Sequence, residues 1–191
     1  MTTRTFEQDR GSGLGLAFPA ASLIAGAALQ FVLGFPLAHL QASAPVPTTI
    51  LLLNALSHVL LGIGVVGLAR SGATGPGGLG RAGIGLTLLG LAVLTLAEFV
   101  AVSNMEAAVV FYSVSTLAIA LGLIVAGIAV VRAGRWTGWH RLTPLLCGLF
   151  IPAVLLPAFA LPGYASHYAI GAWGVCWLLL GLAMRAESAP M

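Results

Sequence analysis

The chain contains no lysine, and charged residues of every kind fill only 7% of its 191 positions. Soluble domains carry about 25% charge, so an ordinary solvated surface is excluded. Acidic residues number five. Glu7, Asp9 and Glu187 stand near the chain ends and Glu106 at the edge of an apolar run, which leaves Glu98 alone inside the stretch "LTLAEFVAVS". The two cysteines, Cys147 and Cys176, make no CxxC pattern and no disulfide framework, and both read as small packing residues. A nucleotide loop, HExxH and GxSxG are all missing, and "GATGPGG" lacks the Lys-Ser/Thr that a phosphate loop needs. No cofactor is expected.

What is abundant is apolar. Hydrophobic residues make up 59% of the chain, and the mean hydropathy is +1.05. A membrane crossing takes about 20 mostly apolar residues, and six such runs can be marked: Leu14 to Ala38, Thr49 to Ala69, Ala82 to Ala101, Ala107 to Val131, Leu142 to Leu161, and Tyr168 to Met184. Their length, and the lack of period-2 alternation, predict helices and not the strands of an outer-membrane barrel. The expected fold is all-α, a polytopic membrane protein of six transmembrane helices arranged as three outward-pointing hairpins. "ASA" at Ala42 to Ala44 resembles a cleavage site, but the apolar run before it is about twice the usual 7–15 residues of a signal peptide. The first span is therefore expected to be retained.

Arginine placement predicts the threading. Arg4 and Arg10 precede the first span, Arg70 and Arg81 flank the second connection, Arg132, Arg135 and Arg141 the fourth, and Arg185 follows the last span. The first, third and fifth connections have none. The positive-inside rule then puts both termini and the even connections in the cytoplasm, with residues 1–13 and 185–191 as cytoplasmic tails around a 14–184 membrane domain. The lysine-free, Ala-, Gly- and Arg-rich usage fits a bacterial chain, hence the cytoplasmic (inner) membrane. A pI near 9.4 could elsewhere suggest nucleic acid, but charges at helix ends anchor to lipid headgroups and form no stripe for phosphates. Membrane lipids are the expected partners, nucleic acid is not, and a homo-oligomer or a larger membrane complex is left open.

Some internal repetition shows. Gly62, Gly122 and Gly181 recur at intervals of 60 and 59 residues, as Arg81 and Arg141, and Phe99 and Phe159, do at 60. Three repeated hairpins would explain it, and so would chance in a chain this rich in Leu and Gly. On a true repeat Ala158 matches Glu98, so packing alone does not need the carboxylate.

In lipid, helices associate through close packing at small residues and through interhelical hydrogen bonds, so small residues mark inner faces. Ser22, Gly26, Gln30, Gly34 and Ala38 form such a stripe; Asn54, His58 and Gly62 align on the second span; Thr87, Leu91, Thr95 and Glu98 share a face of the third. Ser115, Ala118, Gly122, Ala126 and Ala129 do so on the fourth, below Tyr112, and His167, Gly171, Gly174, Leu178 and Gly181 on the sixth. Depth adds to this. At about 1.5 Å per residue, Glu98, Asn54, Gln30 and His58 all fall in the outer halves of their spans, His58 nearest the middle. A polar pocket facing outward, closed below by apolar packing, is expected. Its lining would be Glu98, His58, Asn54, Gln30, Tyr112 and Ser115, with His39 and His167 at the rim. Pro144, Pro152 and Pro157 would kink the fifth span. Trp136 and Trp139 at one side, and Tyr164, Tyr168 and Trp173 at the other, read as interfacial belts.

Three functions fit. The first is a non-enzymatic pocket that binds or conducts a small ligand, ion or proton. The second is an intramembrane enzyme on a lipidic or isoprenoid substrate, with Glu98 as general acid and His58 as its catalytic partner. The third is an accessory subunit in which Glu98 merely hydrogen-bonds to Asn54, Gln30 or Tyr112. Haem ligation at His58 would need a second histidine at matching depth, and His39, His140 and His167 all stand near span ends. No spacing signature supports metal at His39, His167 and Glu106.

Overall fold

The computed structural model describes residues 11–43 and 45–187, with the side chains of 11–15 excepted. Arg4, Glu7, Asp9 and Arg10, the outer parts of both tails, and Ala44 of the "ASA" motif lie outside the described residues. Six helical stretches are long and apolar enough to cross a membrane, and no strand occurs among the described residues. This is the architecture of a multi-pass integral membrane protein. The elements are α1 (Gly11–Gly34), a short α2 (Ala38–Gln41), α3 (Thr48–Arg70), α4 (Gly78–Ser103), α5 (Met105–Ala133), α6 (Thr143–Phe150), α7 (Leu156–Phe159) and α8 (Ala165–Glu187). A 3₁₀ turn, His140–Leu142, precedes α6, and a π-helical turn, Ile151–Leu155, joins α6 to α7. Helix continues about one turn beyond the predicted limits of the membrane domain at each end.

The local chemistry sets the boundaries. Pro47, extended at φ −57° and ψ 132°, opens α3. Asn104 alone separates α4 from α5: at φ −150° it ends one helix, and its Oδ1 accepts from Ala107 N–H at 2.9 Å to start the next. Gly134, at φ +62°, closes α5 in the left-handed conformation that glycine takes without a Cβ penalty. The fifth span is broken as Pro152 and Pro157 predict, though by widening rather than by a simple bend; Pro144, expected to kink it too, sits in the first turn of α6, where its missing N–H costs nothing. Pro152 and Pro157 remove the N–H groups that residues 148 and 153 would accept from, and the backbone relaxes into a π turn between them.

The spans close into a ring in chain order. α1 packs on α3 and α8, α3 on α4, α4 on α5, α5 on α6, and α6 on α8. Glycines make the contacts. A Cβ at Gly26 would strike α3 at Leu60, at Gly34 the backbone of Gly171, at Gly122 Thr87 of α4, and at Gly148 Ile124 of α5. Gly62 departs from the expected stripe. A Cβ there meets nothing within 4 Å, and α3 packs instead through Ser57, Gly64 and Gly67 against α1. The supposed repeat therefore does not carry into packing at Gly62, although Gly122 and Gly181 are both tightly packed.

The end of the bundle holding the second and fourth connections is tied by polar contacts. Arg135 donates to the Gly72 carbonyl at 3.1 Å, and Glu187 on α8 accepts from Thr137 N–H and pairs with His140 Nδ1 at 2.7 Å. Toward the middle the ring is filled by Leu61, Val65, Ile119, Leu123, Trp177 and Leu180, all fully buried. Trp136 belongs to this core and is not an interfacial anchor, since the α5–α6 connection folds it under the bundle, whereas Trp139 is half exposed.

Candidate functional site

The other half of the bundle is hollow. A cavity of about 780 Å³ lies beneath the first, third and fifth connections, lined by residues of α1, α3, α4, α5, the π turn, α7 and α8. That size sits within the ~300–1,000 Å³ typical of ligand pockets. Five of the six predicted binding residues line it: Gln30, Asn54, His58, Glu98 and Tyr112. Ser115 does not. Its hydroxyl donates to the Tyr112 carbonyl at 3.0 Å on its own helix, and the side chain is buried on the face of α5 that meets α4 near Gly90. Of the two rim histidines, His167 lines the cavity while His39 is exposed and points elsewhere.

The polar groups meet because their helices present them at one level of the ring. Glu98, 5% exposed, accepts a hydrogen bond from Tyr112 Oη to Oε2 at 2.9 Å, and its Oε1 faces His58 Nδ1 at 3.9 Å. That is beyond a hydrogen bond. His58 Nδ1 has no partner, nor has Gln30 Oε1, although their residues are only 6% and 2% exposed. Ser57, the near neighbour that could have satisfied His58, donates instead to the Gly26 carbonyl at 3.0 Å across the α1–α3 contact. Buried polar atoms left unpaired cost about 1–3 kcal/mol each. In native proteins nearly all are satisfied by protein, water or ligand.

The walls are apolar: Leu51, Leu94, Val109, Leu117, Leu155, Phe159, Ile170 and Trp173 contribute most of them. Sequence reasoning missed these, because a leucine facing a cavity and one facing lipid look alike. Trp173, whose position in the sequence suggests a lipid interface, is instead part of the wall. It is 3% exposed, and its indole N–H donates to the Cys147 carbonyl at 2.9 Å, pinning α8 to α6. Cys147 and Cys176 are free and buried. His58 also forms the inner wall of a groove of about 440 Å³ between α3 and α4, with Gly62 and Leu88. Among the described residues no group of three His, Cys, Asp or Glu side chains is close enough to hold a metal ion.

The fold and cavity define a class, the polytopic helical membrane proteins with an intramembrane pocket. No family model matches the chain, and neither does any curated protein or solved structure.

Proposed function

We propose that this is a ligand-binding protein of a bacterial cytoplasmic membrane, with both termini and the arginine-bearing connections inside and three hairpins pointing outward, so that the cavity faces the outer side. Arginine asymmetry supports the orientation. The observation that carries the binding reading is the pairing of a ligand-sized cavity with buried, partnerless polar atoms on its floor, Gln30 Oε1 and His58 Nδ1. Binding fits better than conduction. Below His58 the ring is filled by Leu61, Ile119, Leu123 and Trp177, each fully buried. An accessory role for the polar cluster alone would not leave 780 Å³ beside it.

The test is native mass spectrometry of protein released from its own membranes. A small molecule retained by the wild type and lost from His58→Ala is the expected result; a wild type that carries nothing specific would overturn the reading. One geometric feature favours a second function, an intramembrane enzyme on a lipidic substrate. Glu98 is held by Tyr112 and turned toward His58, an arrangement suited to passing a proton. In that case Glu98→Gln protein would retain a different molecule, the unconverted substrate.

A further inference from the structure

The cavity has a side opening. Val109 and Leu117 on α5 and Leu156 and Phe159 on α7 line it, yet each is 42–58% exposed on the outside of the bundle. A side chain that both lines a cavity and lies on the surface marks a mouth. The backbone explains why it is there. α5 packs along α6 but only lightly on the π turn, while α7 lies against α8 and the π turn. The proline-induced break thus swings the end of the fifth span away from α5. The top of the cavity is covered by contrast: Gln41 and Val46 of the first connection line it, and Ser43 fixes that turn by donating to the Leu40 carbonyl at 2.7 Å. The apolar mouth opens where acyl chains would lie, since exposed Val110, Val114 and Leu121 continue the same outer surface of α5.

The charge around the floor bears on which head group fits. No arginine lines the cavity. The described arginines cluster at the opposite end, by the second and fourth connections and the end of α8. A phosphate or carboxylate head would be buried beside Glu98 with no cation to offset it, which is strongly unfavourable. At the floor the open positions are acceptors, Gln30 Oε1, Glu98 Oε1 and His58 Nδ1 in the tautomer that carries its proton on Nε2, whereas the partnerless Gln41 Nε2, a donor, and His167 Nδ1 line the cavity away from the floor, at its covered top and rim. The floor calls for a donor.

Resting on the reading that the cavity is a binding site, we propose that the gap between α5 and α7 admits from the bilayer a single-chain amphipath whose head donates hydrogen bonds and carries no negative charge, a long-chain alcohol or amine. The head reaches Glu98, His58 and Gln30. The tail lies along Leu117 and Phe159 and leaves through the gap.

The test uses the full chain in phosphatidylcholine nanodiscs with photoreactive diazirine analogues of hexadecanol, hexadecylamine and palmitate, the crosslinked residues being mapped by peptide mass spectrometry. Saturable labelling of the α5 and α7 walls by the alcohol or the amine, and none by palmitate, is expected; whichever of the two labels identifies the head. Leu117→Trp, or Ser113→Trp if the first does not fold, should cut labelling of the cavity floor roughly tenfold, the scale of a misfit in an apolar site. Equal labelling by palmitate, or labelling indifferent to both tryptophans in folded protein, overturns this inference and leaves the binding reading standing. Failure of all three probes to label the cavity saturably also overturns this inference, and the binding reading falls with it only if native mass spectrometry of the wild type shows no retained molecule.

Discussion

Tyr112 and Glu98 face each other across the α4–α5 contact, joined by a 2.9 Å hydrogen bond from the phenol to one carboxyl oxygen, so that the other oxygen is turned to His58. The pair fixes the direction of the one carboxyl in the cavity. Tyr112→Phe removes the donor and leaves Glu98 buried without it. A loss of about 1–2 kcal/mol is expected, read as a lower thermal midpoint in detergent. Glu98→Gln retains an acceptor for Tyr112 and should cost less than Tyr112→Phe does.

Two glycines on the ring make opposite predictions. A Cβ at Gly34 runs into the backbone of Gly171, where nothing can yield cheaply, so Gly34→Ala should destabilise by roughly 1–3 kcal/mol. A Cβ at Gly62 meets nothing. Gly62→Ala should be neutral or gain up to about 1 kcal/mol from helix propensity. Thermal unfolding of the two variants side by side checks both.

The break in the fifth span should be removable. Replacing Pro152 and Pro157 by alanine restores two backbone donors and permits a continuous α-helix through the π turn. The double variant is expected to unfold at a temperature no lower than the wild type. Its labelling by a photoreactive long-chain alcohol should fall, because a straight fifth span closes on α5. Stability kept while labelling is lost would be hard to obtain from a merely structural kink.

Threading can be read with single cysteines, since Cys147 and Cys176 are buried and stay silent. Ser103 ends α4 and Thr137 lies in the fourth connection, and both are exposed. In intact cells Ser103→Cys should react with a membrane-impermeant maleimide, and Thr137→Cys only after permeabilisation. The reverse pattern would turn the protein over in the membrane and put the cavity on the cytoplasmic side.

Much of the fold was legible because lipid imposes a simple rule: a crossing must be long, apolar and helical. All six spans fall within about a turn of where hydropathy placed them. The inner face of α1 was legible too, since Ser22 and Gln30 are buried and Gly26 and Gly34 make close contacts; Ala38, expected on the same stripe, is buried but belongs to the separate α2. The rule fails at Gly62, where smallness reflects a groove and not a contact, and at Ser115, whose hydroxyl satisfies itself on its own backbone. The convergence of Glu98, His58, Asn54, Gln30 and Tyr112 followed from depth and face alone. The side opening did not, because it depends on which way a broken helix leans, and Pro152 and Pro157 specify that it breaks without specifying where it goes.

Asn104 has a mechanical consequence. One residue of slack between α4 and α5, pinned by its own side chain to Ala107, makes the two helices a stiff frame that holds one doorpost of the opening still. The other post, α7, is four residues long, lies between a π turn and the bend at Gly163, and rests on α8. The carboxyl of Glu98 therefore rides on the frame, on the opposite side of the doorway from the proline break.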